Sequence, residues 1–201
     1  MLNYSKNWMQ GFLCDQLISN TEMTRFISHI GIICLTGFGL LSTAEAVDNK
    51  NNVDAEILSF INLHTNKRLT VKILPTKNIL DTKAQQAVNK LLIDHRSGDT
   101  HKIDPELFRL LLRLQKKVGV AGPFHIISGY RSPTTNAKMK KQGREVATKS
   151  MHIQGKAIDI RLPGCKLTTL RDAARSLKVG GVGYYKKSNF IHVDTGRVRY
   201  W

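Results

Sequence analysis

The sequence contains little cysteine and little acidic charge, and each shortage excludes a class of protein. Its three cysteines are scattered along 201 residues, too few for a disulfide scaffold or a cysteine-rich zinc module. Fifteen acidic residues stand against 31 lysines and arginines, which gives a formal net charge of +16. Because 41% of the residues are hydrophobic and 23% are charged, the chain is not a disordered polyelectrolyte. Its length favours one folded domain, whose chemistry must come from side chains other than cysteine.

An apolar run near the amino end predicts export. Residues 26–41 are nearly uncharged, and Ala44 and Ala46 follow them in the small-x-small pattern of a signal-peptidase site. We expect residues 1–46 to be an N-terminal extension and signal peptide that is cleaved after Ala46, with Met23 as an alternative start. An uncleaved anchor is disfavoured, because the run is shorter than the roughly 20 residues of a spanning helix. The mature protein is then expected in the periplasm without a membrane span.

The mature chain is more basic than the whole sequence. Removing residues 1–46 takes away two basic and three acidic side chains, so residues 47–201 carry a net charge of +17. Cys165 is the one cysteine that remains, and no internal disulfide can form. Such a positive charge attracts anionic polymers, so an anionic polymer is an expected substrate or partner. For an exported protein the carboxylate-bearing cell wall is a better candidate than nucleic acid, although the charge alone does not choose between them.

The pattern of apolar residues predicts an α+β domain over residues 57–201, after a flexible lead-in at residues 47–56. Segments 57–64 and 69–74 flank a short polar turn and indicate a β-hairpin. The predicted architecture has helices packed on one side, early in the chain, and a small antiparallel sheet built late.

Two amphipathic helices are predicted after the hairpin. The first is capped by Asp81 and reaches about Asp94, and the second is capped by Asp104 and ends at Gly119. The remaining elements are shorter: strands at 124–127, 156–160, 182–185 and 190–194, helices beginning at 133 and spanning 167–177, and a surface loop at 140–151.

Three residues in the second half form a candidate metal set: His152, Asp159 and His192. Gly155 can bend the chain so that Asp159, on the following strand, faces the same point as His152. His192, on the last predicted strand, supplies the third ligand. Two histidines and one carboxylate, with water in the fourth position, make a catalytic zinc set in which zinc lowers the pKa of that water. The alternative is that both histidines are ordinary core or surface residues.

Asp194 places a second carboxylate beside this set. Residues i and i+2 of a strand point to the same face, so Asp194 and His192 are expected side by side. Asp194 is then either the general base that deprotonates the water or a group that orients the histidine.

These residues lie in motifs that resemble a known family. The motifs are ISGYRS at 127–132, SMHIQGKAID at 150–159, and GGVGYY at 180–185 with FIHVDTG at 190–196. Together they resemble the D-Ala-D-Ala zinc metallopeptidase superfamily, and more closely its exported murein endopeptidase K branch. The segment Leu63-His64-Thr65 and the final Trp201 also fit that branch, so the resemblance covers nearly all of residues 57–201.

The resemblance implies a hedgehog/DD-peptidase fold, one zinc ion held by His152, Asp159 and His192, and hydrolysis of peptide cross-links in peptidoglycan. In that branch the favoured bond joins two meso-diaminopimelate residues, the 3-3 cross-link. Arg131 matches the superfamily arginine that holds a substrate carboxylate, for which its planar guanidinium is suited. The alternative for Arg131 is a solvated turn residue.

One position departs from the wider superfamily. Many relatives have an acidic base three residues before the last zinc histidine, where this chain has Asn189. We therefore expect Asp194 to be the base, with Glu145 as a weaker candidate. Tyr184 and Tyr185 either stabilise the oxyanion or pack, and strand alternation sends them to opposite faces.

Peptidoglycan is the expected partner, and other functions remain open. Within the enzyme class the runner-up is a D,D-carboxypeptidase acting on stem peptides. A non-catalytic peptidoglycan-binding module is the second alternative. Nucleic acid is not expected as a partner, because the chain has no zinc finger, no helix-turn-helix signature and no aromatic platform. Basic residues either hold the anionic wall or form a solvated face: Lys138, Lys140, Lys141 and Lys149. The sequence does not indicate an oligomeric state.

Overall fold

A computed structural model describes residues 56–74, 79–144 and 146–201 of the chain. These residues form four helices and seven strands in the following order: β1 (Glu56–Asn62), β2 (Arg68–Ile73), α1 (Thr82–Leu91), α2 (Glu106–Val118), β3 (Phe124–Ser128), α3 (Pro133–Lys141), β4 (Ala157–Arg161), α4 (Leu167–Ser176), β5 (Gly181–Tyr185), β6 (Phe190–Asp194) and β7 (Arg199–Tyr200). The fold class is α+β, as expected. The predicted signal peptide and most of the predicted lead-in lie outside the described residues.

The early hairpin has the predicted form. β1 and β2 are antiparallel, with Phe60 opposite Leu69. The Asn62 side chain closes the turn, because its oxygen accepts hydrogen bonds from the backbone amides of His64 and Thr65 at 2.9 and 3.2 Å. An asparagine in the left-handed region, Asn66 with φ 57°, completes the reversal.

Both long helices begin close to their predicted caps. The carboxylate of Asp81 accepts a 2.7 Å hydrogen bond from the amide of Ala84, and α1 ends at Leu91, three residues earlier than expected. The N-cap residue of α2 is Pro105 rather than the predicted Asp104, whose carboxylate still accepts a 3.1 Å hydrogen bond from the amide of Glu106. The helix ends at Val118, and Gly119 follows it in the left-handed conformation, with φ 65°. The α3 helix starts at Pro133 as predicted and extends to Lys141. Residues 140 and 141, which the sequence predicted to be in a surface loop, are therefore helical.

The sheet is larger than the small antiparallel sheet that the sequence predicted. All seven strands form one sheet in the order β2-β1-β3-β4-β6-β5-β7. Two of its pairings are parallel, β1 with β3 and β5 with β7. The early hairpin joins the late strands because α1 and α2 form a crossover that returns the chain beside β1, the connection that parallel pairing requires.

The main core lies between this sheet and three of the helices. Phe60 of β1 meets Phe108 of α2 edge to face at a centroid distance of 5.8 Å, and stacks on Phe124 of β3 at 6.2 Å. The predicted apolar stripe of α2 is buried: Leu107, Leu110, Leu111 and Leu114. α1 and α4 contribute to the same cluster, whereas Met139 of α3 lies outside it and lines a pocket. Within the described ranges, no helix is long and apolar enough to cross a membrane.

Candidate metal centre

Two neighbouring strands and one turn bring the three candidate ligands together. Asp159 in β4 lies directly opposite His192 in the antiparallel strand β6, so their side chains share one face of the sheet. His152 comes from the turn that leads into β4. That turn needs glycine at position 155, because Gly155 has a φ of 66° and a β-carbon there would lie 2.4 Å from the backbone oxygen of Lys102.

The three side chains converge on one point. The distance from His192 Nδ1 to Asp159 Oδ1 is 3.0 Å, and from His152 Nε2 to the same oxygen it is 3.3 Å. The two ring nitrogens, His152 Nε2 and His192 Nδ1, are 3.1 Å apart. All three residues are buried, and each offers one ligand atom to a common centre.

The outward nitrogens of both rings face hydrogen-bond acceptors. His152 Nδ1 lies 2.7 Å from the backbone oxygen of Gly129, and His192 Nε2 lies 2.8 Å from Asp194 Oδ2. Carbonyl and carboxylate oxygens only accept, so each outward nitrogen carries a proton, and a ring with that proton alone presents a lone pair at its inward nitrogen. Two nitrogen lone pairs and one carboxylate oxygen within 3.3 Å of one another repel unless a cation lies between them. The donor set is therefore suited to a metal ion.

The electrostatics of the centre favour positive charge. Burial acts to raise the pKa of Asp159, but His152 and His192 lower it well below the ordinary value for aspartate. Burial acts to lower the pKa of His192, but hydrogen bonds with Asp159 and Asp194 raise it above the ordinary value for histidine. Both directions describe a site that stabilises a proton or a metal cation among these residues.

Asp194 lies behind His192, on the side away from the other two ligands. It is fully buried and its two oxygens have five hydrogen-bond donors: His192 Nε2, the amides of Gly181 and Gly196, and two guanidinium nitrogens of Arg199. Burial acts to raise the pKa of Asp194, but these hydrogen bonds lower it well below the ordinary value. Asp194 is also not among the residues that line the pocket. This placement fits a group that orients His192 better than it fits a general base.

Arg131 is buried beside the centre rather than solvated. Its side chain has weak partners, Asn136 Oδ1 at 3.4 Å and Asp159 Oδ2 at 3.9 Å. Its Nε has no hydrogen-bond partner among the residues that the structure describes. Burial lowers the pKa of this guanidinium below its ordinary value, although Asp159 acts to raise it. A buried guanidinium with unused donors is suited to an incoming carboxylate.

The loop that carries Arg131 is held by a second buried carboxylate. Asp94 Oδ2 accepts a 2.9 Å hydrogen bond from the amide of Ser132, and Asp94 Oδ1 accepts from the amide of Arg96 at 3.0 Å. The amide of Arg131 itself donates to the backbone oxygen of His152 at 3.3 Å. The position of Arg131 is thus tied both to the core and to the ligand turn.

The other predicted candidates occupy different places. Asn189 is exposed, in the turn between β5 and β6, and does not line the pocket. Glu145 lies outside the described residues. Tyr184 and Tyr185 point to opposite sides as alternation predicts: Tyr184 packs under the Arg171 guanidinium at 4.6 Å, and Tyr185 lines the pocket. Of the four lysines expected at the surface, Lys149 lines the pocket.

The pocket above the centre has a volume of about 650 Å³ and contains residues that sequence reasoning left without a role. Five cationic side chains line it: Arg96, Arg131, Arg144, Lys149 and Arg199. Asp159 is the sole carboxylate among the described lining residues. Trp201 forms one wall, with its ring 5.2 Å from the His192 ring. The family resemblance drew attention to Trp201. The strand that positions it, β7, has two residues and is too short for its sequence to predict a strand.

Comparison with known proteins agrees with the motifs. The model of a family described as peptidoglycan L,D-endopeptidase MepK matches residues 50–201. A Haemophilus influenzae protein named "Probable peptidoglycan L,D-endopeptidase MepK" is 43% identical over 146 residues, which cover 72% of this chain and 78% of the relative. The Escherichia coli K12 "Peptidoglycan L,D-endopeptidase MepK" is 40% identical over 145 residues, or 72% and 79% of the two chains. No solved structure gives a significant match. The chain belongs to the peptidoglycan L,D-endopeptidase MepK family, in the D-Ala-D-Ala metallopeptidase superfamily.

Proposed function

We propose that this protein is an exported zinc-dependent endopeptidase that hydrolyses peptide cross-links of peptidoglycan. The observation that carries the proposal is the convergence of His152 Nε2, His192 Nδ1 and Asp159 Oδ1 at the floor of a cationic pocket, with both outward nitrogens held by acceptors. The names of the relatives in Haemophilus influenzae and Escherichia coli support the peptidoglycan endopeptidase activity.

His152, Asp159 and His192 would hold a single zinc ion. Two imidazoles and one carboxylate are an ordinary zinc set that leaves one position open. When bound there, zinc supplies a nucleophilic water of lowered pKa and polarises the carbonyl of the bond to be cut. The rest of the site has to bind, orient and neutralise a peptide substrate.

Arg131 is assigned to a carboxylate next to the scissile bond. In a cross-link to meso-diaminopimelate, the carbon that bears the scissile nitrogen also bears a carboxylate. The guanidinium of Arg131, which lines the pocket, and the surrounding cations match such a group in charge.

The relatives' names favour the 3-3 bond over the 4-3 bond. A 3-3 bond joins the L-centre carbonyl of one meso-diaminopimelate to the D-centre amine of another, whereas a 4-3 bond joins two D centres. The relatives are named L,D-endopeptidases, which agrees with the 3-3 cross-link. We propose the meso-diaminopimelate 3-3 cross-link as the substrate of this protein.

Two further side chains have proposed roles around the reacting bond. Asp194 orients His192, because it accepts from the far nitrogen of that ring and is shielded from the pocket. Tyr185 accepts a 2.9 Å hydrogen bond from Trp201 Nε1, which leaves its own hydroxyl proton free to donate to the oxygen of the scissile carbonyl.

The proposed location follows from the sequence. We propose that residues 1–46 act as an extension and signal peptide, that cleavage follows Ala46, and that residues 57–201 work as the peptidase domain in the periplasm. A cell-wall substrate requires this location.

The proposal is tested by incubating purified sacculi with residues 47–201 and zinc, and then profiling the muropeptides. Controls are the His192→Ala variant and the same protein with a chelator. Loss of 3-3 dimers in the active sample alone is the expected result. Loss of 4-3 dimers instead would show that the protein cuts the 4-3 cross-link. Trimming of stem peptides with intact dimers would establish a D,D-carboxypeptidase, and sacculus binding with an unchanged profile would establish a binding module.

A further inference from the structure

The carboxylate of Asp194 is held by a neighbour that sequence analysis did not select. Arg199 binds both of its oxygens, with Nη1 3.2 Å from Oδ1 and Nη2 2.7 Å from Oδ2. Arg199 Nη1 also donates to the backbone oxygen of Arg197 at 3.1 Å. Because Asp194 is fully buried, this paired arrangement of two donors and two acceptors fixes the plane of its carboxylate. The same carboxylate accepts a hydrogen bond from Nε2 of His192.

Trp201 covers the outer side of this chain of residues. Its ring lies 5.2 Å from the His192 ring, and the Arg199 guanidinium lies over it at 5.1 Å. Its indole nitrogen donates to the Tyr185 hydroxyl, and its backbone pairs with β5 through Val182 and Tyr184. Trp201 therefore connects the Arg199 guanidinium to Tyr185, which lines the pocket.

Three glycines of the GGVGYY motif make room for these residues. A β-carbon at Gly180 would lie 1.8 Å from the backbone oxygen of Asp194, and one at Gly181 would lie 2.5 Å from both Arg199 Nη1 and Asp194 Oδ2. A β-carbon at Gly183 would lie 2.6 Å from the Trp201 ring. None of the three has a left-handed φ, so space rather than backbone conformation requires glycine there.

We propose that Arg199 is a positioning residue of the metal centre. Through Asp194 it holds the His192 ring so that Nδ1 faces Asp159 and His152, and Trp201 closes the outer side. The inference rests on the proposed function, because it assigns Arg199 to a centre that binds zinc. The competing explanation is that Arg199 only anchors β7 to the sheet.

Arg175 provides a matched control for that explanation. It also contacts the β7 end of the chain, since its guanidinium lies 5.5 Å from the Tyr200 ring and donates to the backbone oxygen of Trp201 at 3.5 Å. It has no hydrogen bond to Asp194 or His192 among those of the described residues. Loss of anchoring alone should therefore affect Arg175 and Arg199 variants alike.

The test compares Arg199→Met, Arg199→Lys and Arg175→Met with the unmodified protein. Zinc affinity is measured by competition with a chromophoric chelator, the ligand field from the visible spectrum of the cobalt-substituted protein, and stability by urea unfolding. We expect Arg199→Met to weaken zinc binding about 10- to 100-fold and to alter the cobalt spectrum. Arg199→Lys should recover part of the affinity, and Arg175→Met should bind zinc within about twofold of the unmodified protein.

Each outcome of this comparison decides the inference. Unchanged zinc affinity and an unchanged cobalt spectrum in Arg199→Met, or equal losses in Arg199→Met and Arg175→Met, would overturn it while leaving the proposed function intact. Absence of zinc binding by the unmodified protein would overturn both. If Arg199→Met does not fold, the folded Arg199→Lys variant decides, because an ammonium keeps the charge but not the planar pair of donors. Weaker zinc binding in Arg199→Lys than in the unmodified protein would then support the inference, and equal zinc binding would overturn it.

Discussion

His192 and Asp194, two residues apart on the same face of β6, form a 2.8 Å hydrogen bond on the side of the His192 ring away from the candidate metal centre. The geometry makes the carboxylate an acceptor for the outward ring nitrogen and leaves the inward nitrogen free to bind a cation. Asp194 either orients the His192 ring or removes a proton from water. The two roles predict different effects of its replacement on zinc affinity and on activity.

Asp194→Asn separates the two roles. An amide at this position can still accept from His192, but it carries no charge to balance the ring and Arg199. For an orienting residue we expect zinc affinity to fall about 10- to 100-fold, with activity largely recovered at saturating zinc. A general base would give the opposite pattern, with normal zinc affinity and activity lost at every zinc concentration. Zinc competition together with a rate measurement on 3-3 dimers distinguishes these results.

Arg131→Met tests the carboxylate site. We expect kcat/KM for a 3-3 dimer to fall about 100-fold, equivalent to about 2.7 kcal/mol, while zinc affinity stays unchanged. Arg131→Lys should give a smaller loss, because an ammonium keeps the charge but not the paired donors. The matched control is Arg113→Met, which removes one exposed positive charge from α2 outside the pocket.

The same variant makes a sharper prediction with a modified substrate. A 3-3 dimer whose carboxylate beside the scissile nitrogen is amidated lacks the group that Arg131 is assigned to bind. The unmodified protein should cut it slowly, and Arg131→Met should cut it at about the same slow rate. An equal 100-fold effect of the variant on both dimers would place Arg131 outside substrate recognition.

The ionisation of Asp94 should make the stability of the fold depend on pH. Burial acts to raise the pKa of Asp94, but hydrogen bonds with Thr135, Ser132 and Arg96 lower it to about 2. Relative to an unfolded value of about 3.9, this contributes about 2 kcal/mol to the free energy of unfolding at neutral pH. The folded pKa is the lower one, so the contribution is complete above about pH 4 and is lost as the pH falls towards 2.

Asp94→Asn should therefore cost about 2 kcal/mol at pH 7, measured by urea unfolding, and the difference from the unmodified protein should shrink below about pH 4. The exposed Asp172→Asn variant is the control and should change stability little. A difference between Asp94→Asn and the unmodified protein that stays constant from pH 7 to pH 2 would contradict this assignment.

Gly155 couples the fold to the candidate metal centre. Gly155 and Gly119 have nearly the same φ, 66° and 65°, but a β-carbon at Gly119 would have no atom of the described residues within 4 Å. We expect Gly119→Ala to cost about 1 kcal/mol, the conformational part alone. Gly155→Ala should cost about 3 kcal/mol or more and weaken zinc binding, because Lys102 and His101 would have to move with the turn that carries His152. Equal costs in the two variants would rule out this crowding.

Local patterns predicted most of the elements. The cap at Asp81, the left-handed end of α2 at Gly119 and the pairing of His192 with Asp194 all depend on residues close in sequence. The same holds for His152 and Asp159, which one glycine turn separates. The parallel pairing of Phe60 with Phe124 depends on the path of two intervening helices, so no short pattern predicted it. The single seven-stranded sheet was missed for that reason.

The outer part of the site was also hidden from sequence reasoning. Arg199 and Trp201 belong to or follow a strand of two residues, too short to show a period. Their contacts with Asp194 and His192 depend on the pairing of β7 with β5. The resemblance to the endopeptidase family drew attention to Trp201, but its position over the His192 ring came from the structure.

The most direct test of the account is a zinc titration of metal-free protein, followed by the initial rate of 3-3 dimer hydrolysis. If His152, Asp159 and His192 hold one catalytic zinc, the rate should rise linearly and reach its maximum at one equivalent per chain, and Asp159→Asn should stay inactive throughout. Full activity of the metal-free protein in the presence of a chelator, or full activity of Asp159→Asn, would contradict the account.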